Sequence, residues 1–68
     1  MKIENKEVSI RNNYLYKVTY VPPHAKGDSG HKDCEQGVII SMNDEFIRVL
    51  YNKDRTVQST RPEDLVWG

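Results

Sequence analysis

The chain has a single cysteine, Cys34, so no disulfide can form within it, and a reducing cytoplasm is the expected compartment. Nowhere do more than three apolar residues follow one another, which excludes a transmembrane helix and a signal-peptide core. Net charge is also missing. Residues 1–27 carry five Lys/Arg against two Glu, and residues 28–68 carry five against eight Asp/Glu, so a basic half and an acidic half cancel. The basic footprint of a dedicated DNA-binding domain is therefore absent, and a protein partner is the first expectation. Sixty-eight residues leave no room for a second lobe, so any cleft is shallow or shared with another chain.

What is present is strand-forming sequence punctuated by turns. Residues 14–21, Tyr-Leu-Tyr-Lys-Val-Thr-Tyr-Val, are aromatic and β-branched, end at Pro22-Pro23, and predict the first secure strand. Residues 37–42, 46–51, 56–60 and 65–67 predict four more. The short turns Asn43-Asp44-Glu45 and Asn52-Lys53-Asp54-Arg55 make an antiparallel meander of the middle three, and Pro62-Glu63-Asp64 delivers the last. Period-two alternation puts Ile47, Val49 and Tyr51 on the core face and Phe46, Arg48 and Leu50 on the wetter one. Val38, Ile40, Val57 and Leu65 are expected to complete the core. In the first strand either Tyr16/Val18/Tyr20 or Leu15/Val21 points inward. Residues 1–13, with Ile3, Val8 and Ile10, form an edge strand or a frayed polar arm ahead of a domain spanning 14–68.

The predicted fold class is all-β: about five short antiparallel strands with a long loop after the first secure one. Gly37-Val38, Phe46-Ile47-Arg48-Val49, Thr56-Val57 and Pro62-Glu63-Asp64-Leu65 resemble the meander of SH3, Tudor and KOW-type barrels, over roughly residues 14–67. That resemblance implies an SH3-like small barrel. It carries over neither an aromatic cage nor a basic RNA-binding loop, because no residues here match those motifs. Separately, Tyr20-Val21-Pro22-Pro23-His24-Ala25, His31, Asp33-Cys34-Glu35, Gly37 and Asn43-Asp44 resemble a group of short, uncharacterised bacteriophage and prophage proteins. This second resemblance implies a mobile-element origin and a bacterial host cytoplasm, and brings no assigned activity.

The 22–36 loop concentrates the chemistry-bearing residues, with both histidines, the cysteine and Gly27-Asp28-Ser29-Gly30. The tetrapeptide matches the surroundings of a protease serine. Acyl transfer, however, also needs an oriented base and an oxyanion hole on a rigid scaffold, and this chain is smaller than one such barrel. Gly, Asp and Ser are turn residues, which explains the tetrapeptide without catalysis. A Cys34–histidine nucleophile fares no better, since Asp33 and Glu35 flank the thiol and oppose its ionisation. No catalytic set is complete, and a non-enzymatic module is expected.

Three binding readings remain. In the first, the loop contacts a partner protein through His24, Lys26, Asp28 and His31, with Arg48 beside it. In the second, Lys17, Arg48, Lys53, Arg55 and Arg61 hold nucleic-acid phosphates while exposed aromatics among Tyr14, Tyr16, Tyr20, Tyr51 and Trp67 stack on bases. In the third, zinc staples the domain through His24, His31 and Cys34, with Asp28 or Asp33 as fourth ligand, because His31-x-x-Cys34 lets one turn present two donors. The plain counterpart to all three is a connecting loop in which His24 bonds within the loop, His31 is solvated and Cys34 is a small buried apolar group. Fifteen residues is long for an inert connection, which favours a partner-binding loop. The strand edges, Phe46, Leu50 or the N-terminal segment leave homo-oligomer formation open.

Overall fold

The computed structural model describes all 68 residues. Its seven strands are β1 (Lys2–Ile3), β2 (Lys6–Glu7), β3 (Lys17–Tyr20), β4 (Glu35–Met42), β5 (Ile47–Tyr51), β6 (Val57–Thr60) and β7 (Leu65–Trp67). One helical turn, α1 (Ile10–Asn13), precedes β3, and 3-10 turns occupy Pro23–Ala25 and Pro62–Asp64. Strands β3 to β7 form one antiparallel sheet in the order β6-β5-β4-β3-β7, while β1 and β2 pair separately. No ladder joins β6 to β7, so the sheet is open rather than a closed barrel. No helix is long and apolar enough to cross a membrane.

The meander follows from local chemistry. At the β4–β5 turn the Asn43 carboxamide oxygen accepts from the Glu45 and Phe46 amides, both at 2.8 Å. At the β5–β6 turn Asp54 accepts from the Thr56 hydroxyl at 2.8 Å. Along β5 the expected alternation holds: Ile47, Val49 and Tyr51 are buried, Arg48 is exposed and Leu50 is half-buried.

The neighbouring strands differ from expectation, and the register explains why. Residues directly opposite in an antiparallel pair share a face. Ile39 lies opposite Val49 and Gly37 opposite Tyr51, so these two face the core, and Val38 and Ile40 are only half-buried. A bulge then shifts the ladder between Ile39 and Ser41. Val57 lies opposite the outward Leu50 and is exposed, not a core residue. Leu65 is buried as expected.

The first secure strand is shorter than its composition suggests. Ser9 caps α1, its hydroxyl accepting from the Asn12 amide while its own amide donates to the Asn13 side chain. The chain then turns through Leu15, whose φ of +66° lies in the left-handed region, and enters β3 only at Lys17. Tyr14, Leu15 and Tyr16 are therefore exposed by about half, while Val18 is fully buried and Tyr20 packs edge-on against Tyr51. Aromatic composition favours a strand here, but the helix cap at Tyr14 and the turn at Leu15 consume those residues.

Residues 1–13 are neither an edge strand of the main sheet nor a frayed arm. Glu4 and Asn5 both have positive φ (48° and 71°), as a two-residue I′-type hairpin turn requires. Ile3 is fully buried and Val8 nearly so, in one cluster with Val18, Ile39, Ile47, Val49, Tyr51 and Leu65. The hairpin also covers the outer edge of β7: the Trp67 amide donates to Glu4 Oε1 at 2.7 Å and its indole to the Ile3 carbonyl at 2.9 Å. One of the two sheet edges is thus protected, and β6 remains open.

Candidate functional site

The chain leaves β3 with the Val21 amide bonded to the Asp64 carbonyl, and crosses to β4 through residues 21–34. Pro23 opens the 3-10 turn, where its missing amide and fixed φ are no handicap, and buried Ala25 pins that turn to the body of the domain. Lys26 (φ +51°) and Gly27 (φ +80°) reverse the chain in left-handed conformations. Asp28 then organises the next stretch. Its carboxylate accepts from the Gly30 amide at 2.9 Å, and its carbonyl accepts from the His31 amide at 3.1 Å and the Cys34 thiol at 3.3 Å. The His31 carbonyl accepts in turn from the Cys34 amide. Gly27-Asp28-Ser29-Gly30 is an Asx turn, and the Ser29 hydroxyl is hydrogen-bonded to neither imidazole.

These successive turns bring His24, His31 and Asp33 together. His24 Nε2 lies 2.7 Å from Asp33 Oδ2, and His31 Nδ1 lies 3.9 Å from the same oxygen. The Asp33 amide donates to His31 Nδ1 at 3.0 Å, which places the proton of a neutral His31 on Nε2. The two imidazoles meet edge to face with centroids 5.4 Å apart. One donor atom from each of the three residues lies within 4.8 Å of the other two.

That grouping narrows the predicted ligand set. His24 and His31 converge with Asp33, one of the two expected carboxylates, and without Cys34 and Asp28. The tight turn from His31 to Cys34 sends the thiol back to the Asp28 carbonyl, and the Asp28 carboxylate is held by Gly30. Cys34 is half-buried, not a buried core group. His24 bonds within its own loop, as the plain reading had it, and His31 is more enclosed than solvated, its side chain 29% exposed.

The other candidates are scattered. Lys26 and Asp28 are exposed on the loop. Arg48 pairs with Ser41, six positions along β4 from the loop's end at Glu35, which is about 20 Å away at the usual strand rise. In its place the β5–β6 turn approaches the loop. Asn52 donates to the Gln36 carbonyl at 2.9 Å, and Lys53 shares with His31, Cys34 and Glu35 a cleft of about 410 Å³. Arg55 belongs to that turn, whereas Arg61 is committed to Asp64 at 3.1–3.2 Å. Lys17 lies elsewhere, with Lys6, Tyr16 and Trp67 around a cleft of about 290 Å³.

A larger cleft, about 500 Å³, opens between β6 and the base of the loop, with Tyr20, Glu35, Tyr51, Asp54, Thr60 and Asp64 among its walls. There the Tyr51 hydroxyl and Thr60 Oγ1 are 2.6 Å apart and buried. Burial pushes the Tyr51 phenol above its ordinary pKa, and the bond to Thr60 opposes that shift without cancelling it. This cleft had no sequence signal, because its walls come from segments spread between Tyr20 and Asp64. No family model matches the chain, and no similar curated protein or solved structure was found.

Proposed function

We propose that this chain is a non-enzymatic, SH3-like interaction module whose 21–34 loop contacts a partner protein. The strand order β6-β5-β4-β3-β7, the long β3–β4 loop and the 3-10 turn before the last strand support the SH3-like reading. The observation that carries the functional reading is that the loop is exposed yet fastened to itself turn by turn. Hydrogen bonds run from Pro22 to Cys34, while His24, Lys26, Asp28 and Lys32 stay exposed. A loop already ordered in the free domain loses little conformational entropy on binding, so its contacts translate into affinity. Lys53, across the shared cleft, extends this surface; Arg48 does not. The resemblance to phage and prophage proteins suggests the bacterial cytoplasm as the setting. Affinity capture from a bacterial lysate tests the reading. Substituting His24, Asp28 and His31 together with Ala should abolish capture of the partner while the melting curve stays cooperative. Undiminished capture by the folded triple variant refutes the placement.

One observation favours nucleic acid as a second reading. Tyr16, half-exposed, packs edge-on against Trp67 (centroids 6.3 Å apart), and Lys6 and Lys17 line the same cleft. Aromatic faces beside ammonium groups suit a single strand. This reading expects an affinity for single-stranded oligonucleotide that falls with salt and is lost in Tyr16→Ala. Binding that ignores both salt and Tyr16 removes it.

A further inference from the structure

We infer that His24, His31 and Asp33 form a binding site for a divalent transition-metal ion, with zinc as the ion that two imidazoles and a carboxylate suit best. The inference does not depend on the partner-binding reading, since it concerns the isolated domain.

The geometry carries it. Donor atoms on a tetrahedron around zinc lie about 3.3 Å apart, given zinc–ligand bonds near 2.0–2.1 Å. The three donors here already lie within 4.8 Å of one another, so rotation of side chains by about 1.5 Å or less closes the set. His24 and Asp33, 62% and 47% exposed, have room to turn toward the more enclosed His31. The backbone that presents them needs no rearrangement. His24 sits on the 3-10 turn anchored by Ala25, and His31 and Asp33 sit on the turn that follows the Asp28 Asx turn. The cost of drawing together residues nine positions apart in sequence is met by the backbone and Asp28 hydrogen bonds already made within the loop.

The charge pattern points the same way. Asp33 Oδ2 is the shared focus of both imidazoles, at 2.7 and 3.9 Å, so a cation placed among them exchanges two hydrogen bonds, His24 to Asp33 and the Asp33 amide to His31 Nδ1, for three ligand bonds. Three protein ligands leave a fourth position for water or for a donor from another molecule. Cys34 is adjacent in sequence but turned away to the Asp28 carbonyl, and is not part of the site.

The test uses the full chain without a histidine tag. Zinc is titrated by calorimetry, and cobalt is substituted so that its visible d–d bands report coordination. The expected result is one ion per chain and a melting temperature that rises with zinc. Loss of a hydrogen-bonded partner outside the ligand shell already costs about 10–100-fold in metal affinity, so His24→Ala, His31→Ala and Asp33→Asn should each weaken binding by at least about tenfold. Cys34→Ser and Asp28→Asn should bind as the parent does, and the cobalt form should lack a thiolate charge-transfer band. No stoichiometric binding in zinc excess overturns the inference. So does binding that survives His24→Ala and Asp33→Asn, or that is abolished by Cys34→Ser. Repeating partner capture with and without chelator separates the two proposals: the zinc titration alone decides the metal site, and capture indifferent to chelator shows only that the partner contact does not use the ion.

Discussion

Replacing Gly37 with Ala should destabilise the domain, although the same exchange in an unobstructed site usually stabilises by about 0.4–1 kcal/mol through the unfolded chain. Gly37 lies between Val18 of β3 and Tyr51 of β5, at the root of the loop. A Cβ there would stand 2.5 Å from the Leu50 carbonyl oxygen and 2.7 Å from Val49 Cγ1, where ordinary contacts begin at 3.4 Å. The shortfall against the carbonyl is 0.9 Å. That oxygen belongs to the backbone of the central meander, so it cannot swing aside as a side chain would. Overpacking costs about 1–3 kcal/mol, and a backbone obstacle places this case at about 2–3. In a domain of this size each kcal/mol lowers Tm by about 4–8 °C, giving a fall of about 8–24 °C. Thermal melting by circular dichroism, with urea unfolding as a second measure, reads it. A Tm equal to or above that of the parent refutes the close approach of β4 and β5 at Gly37.

Tyr51→Phe removes the 2.6 Å bond to the buried Thr60 hydroxyl, leaving it the Gln58 carbonyl at 3.5 Å, and should cost about 1 kcal/mol in urea unfolding, whereas no change would show the pair to be energetically idle. Because the folded-state pKa of Tyr51 is raised, its contribution is complete below the unfolded value near 10 and fades as pH rises through the folded one; parent and Tyr51→Phe stabilities should converge on that alkaline limb alone. Ile3→Val should lower stability by about 0.5–1.5 kcal/mol, since Ile3 is fully buried, and a value near zero would return the N-terminal hairpin to a loose arm.

Where side chains bond to their own turn, the fold was legible in the sequence. Asn43 and Asp54 mark the meander, Pro62 marks the turn into β7, and Arg48 between Ile47 and Val49 shows the core face of β5. Val38-Ile39-Ile40 has no alternation to read, so its facing is decided by the partner strand, and a bulge follows. Tyr14-Leu15-Tyr16 looks like strand because composition does not reveal a left-handed residue. At the site, two histidines in one loop were a usable signal. Asp33 was among the expected carboxylates but ranked behind Cys34, because sequence spacing favours Cys34, while the direction of each side chain is set by the turns at Asp28 and His31. Lys53 reaches the loop only through the pairing of β5 with β4, which spacing along the chain cannot show.

The central claim is that residues 21–34 form a preorganised surface rather than a floppy connection. Backbone ¹⁵N relaxation on the free domain measures this directly. Order parameters from Ala25 to Cys34 close to those of β4 and β5, about 0.85, are the predicted result. Values below about 0.6 across Asp28–Asp33 would contradict it, and would take from both the partner surface and the metal site the rigidity on which they depend.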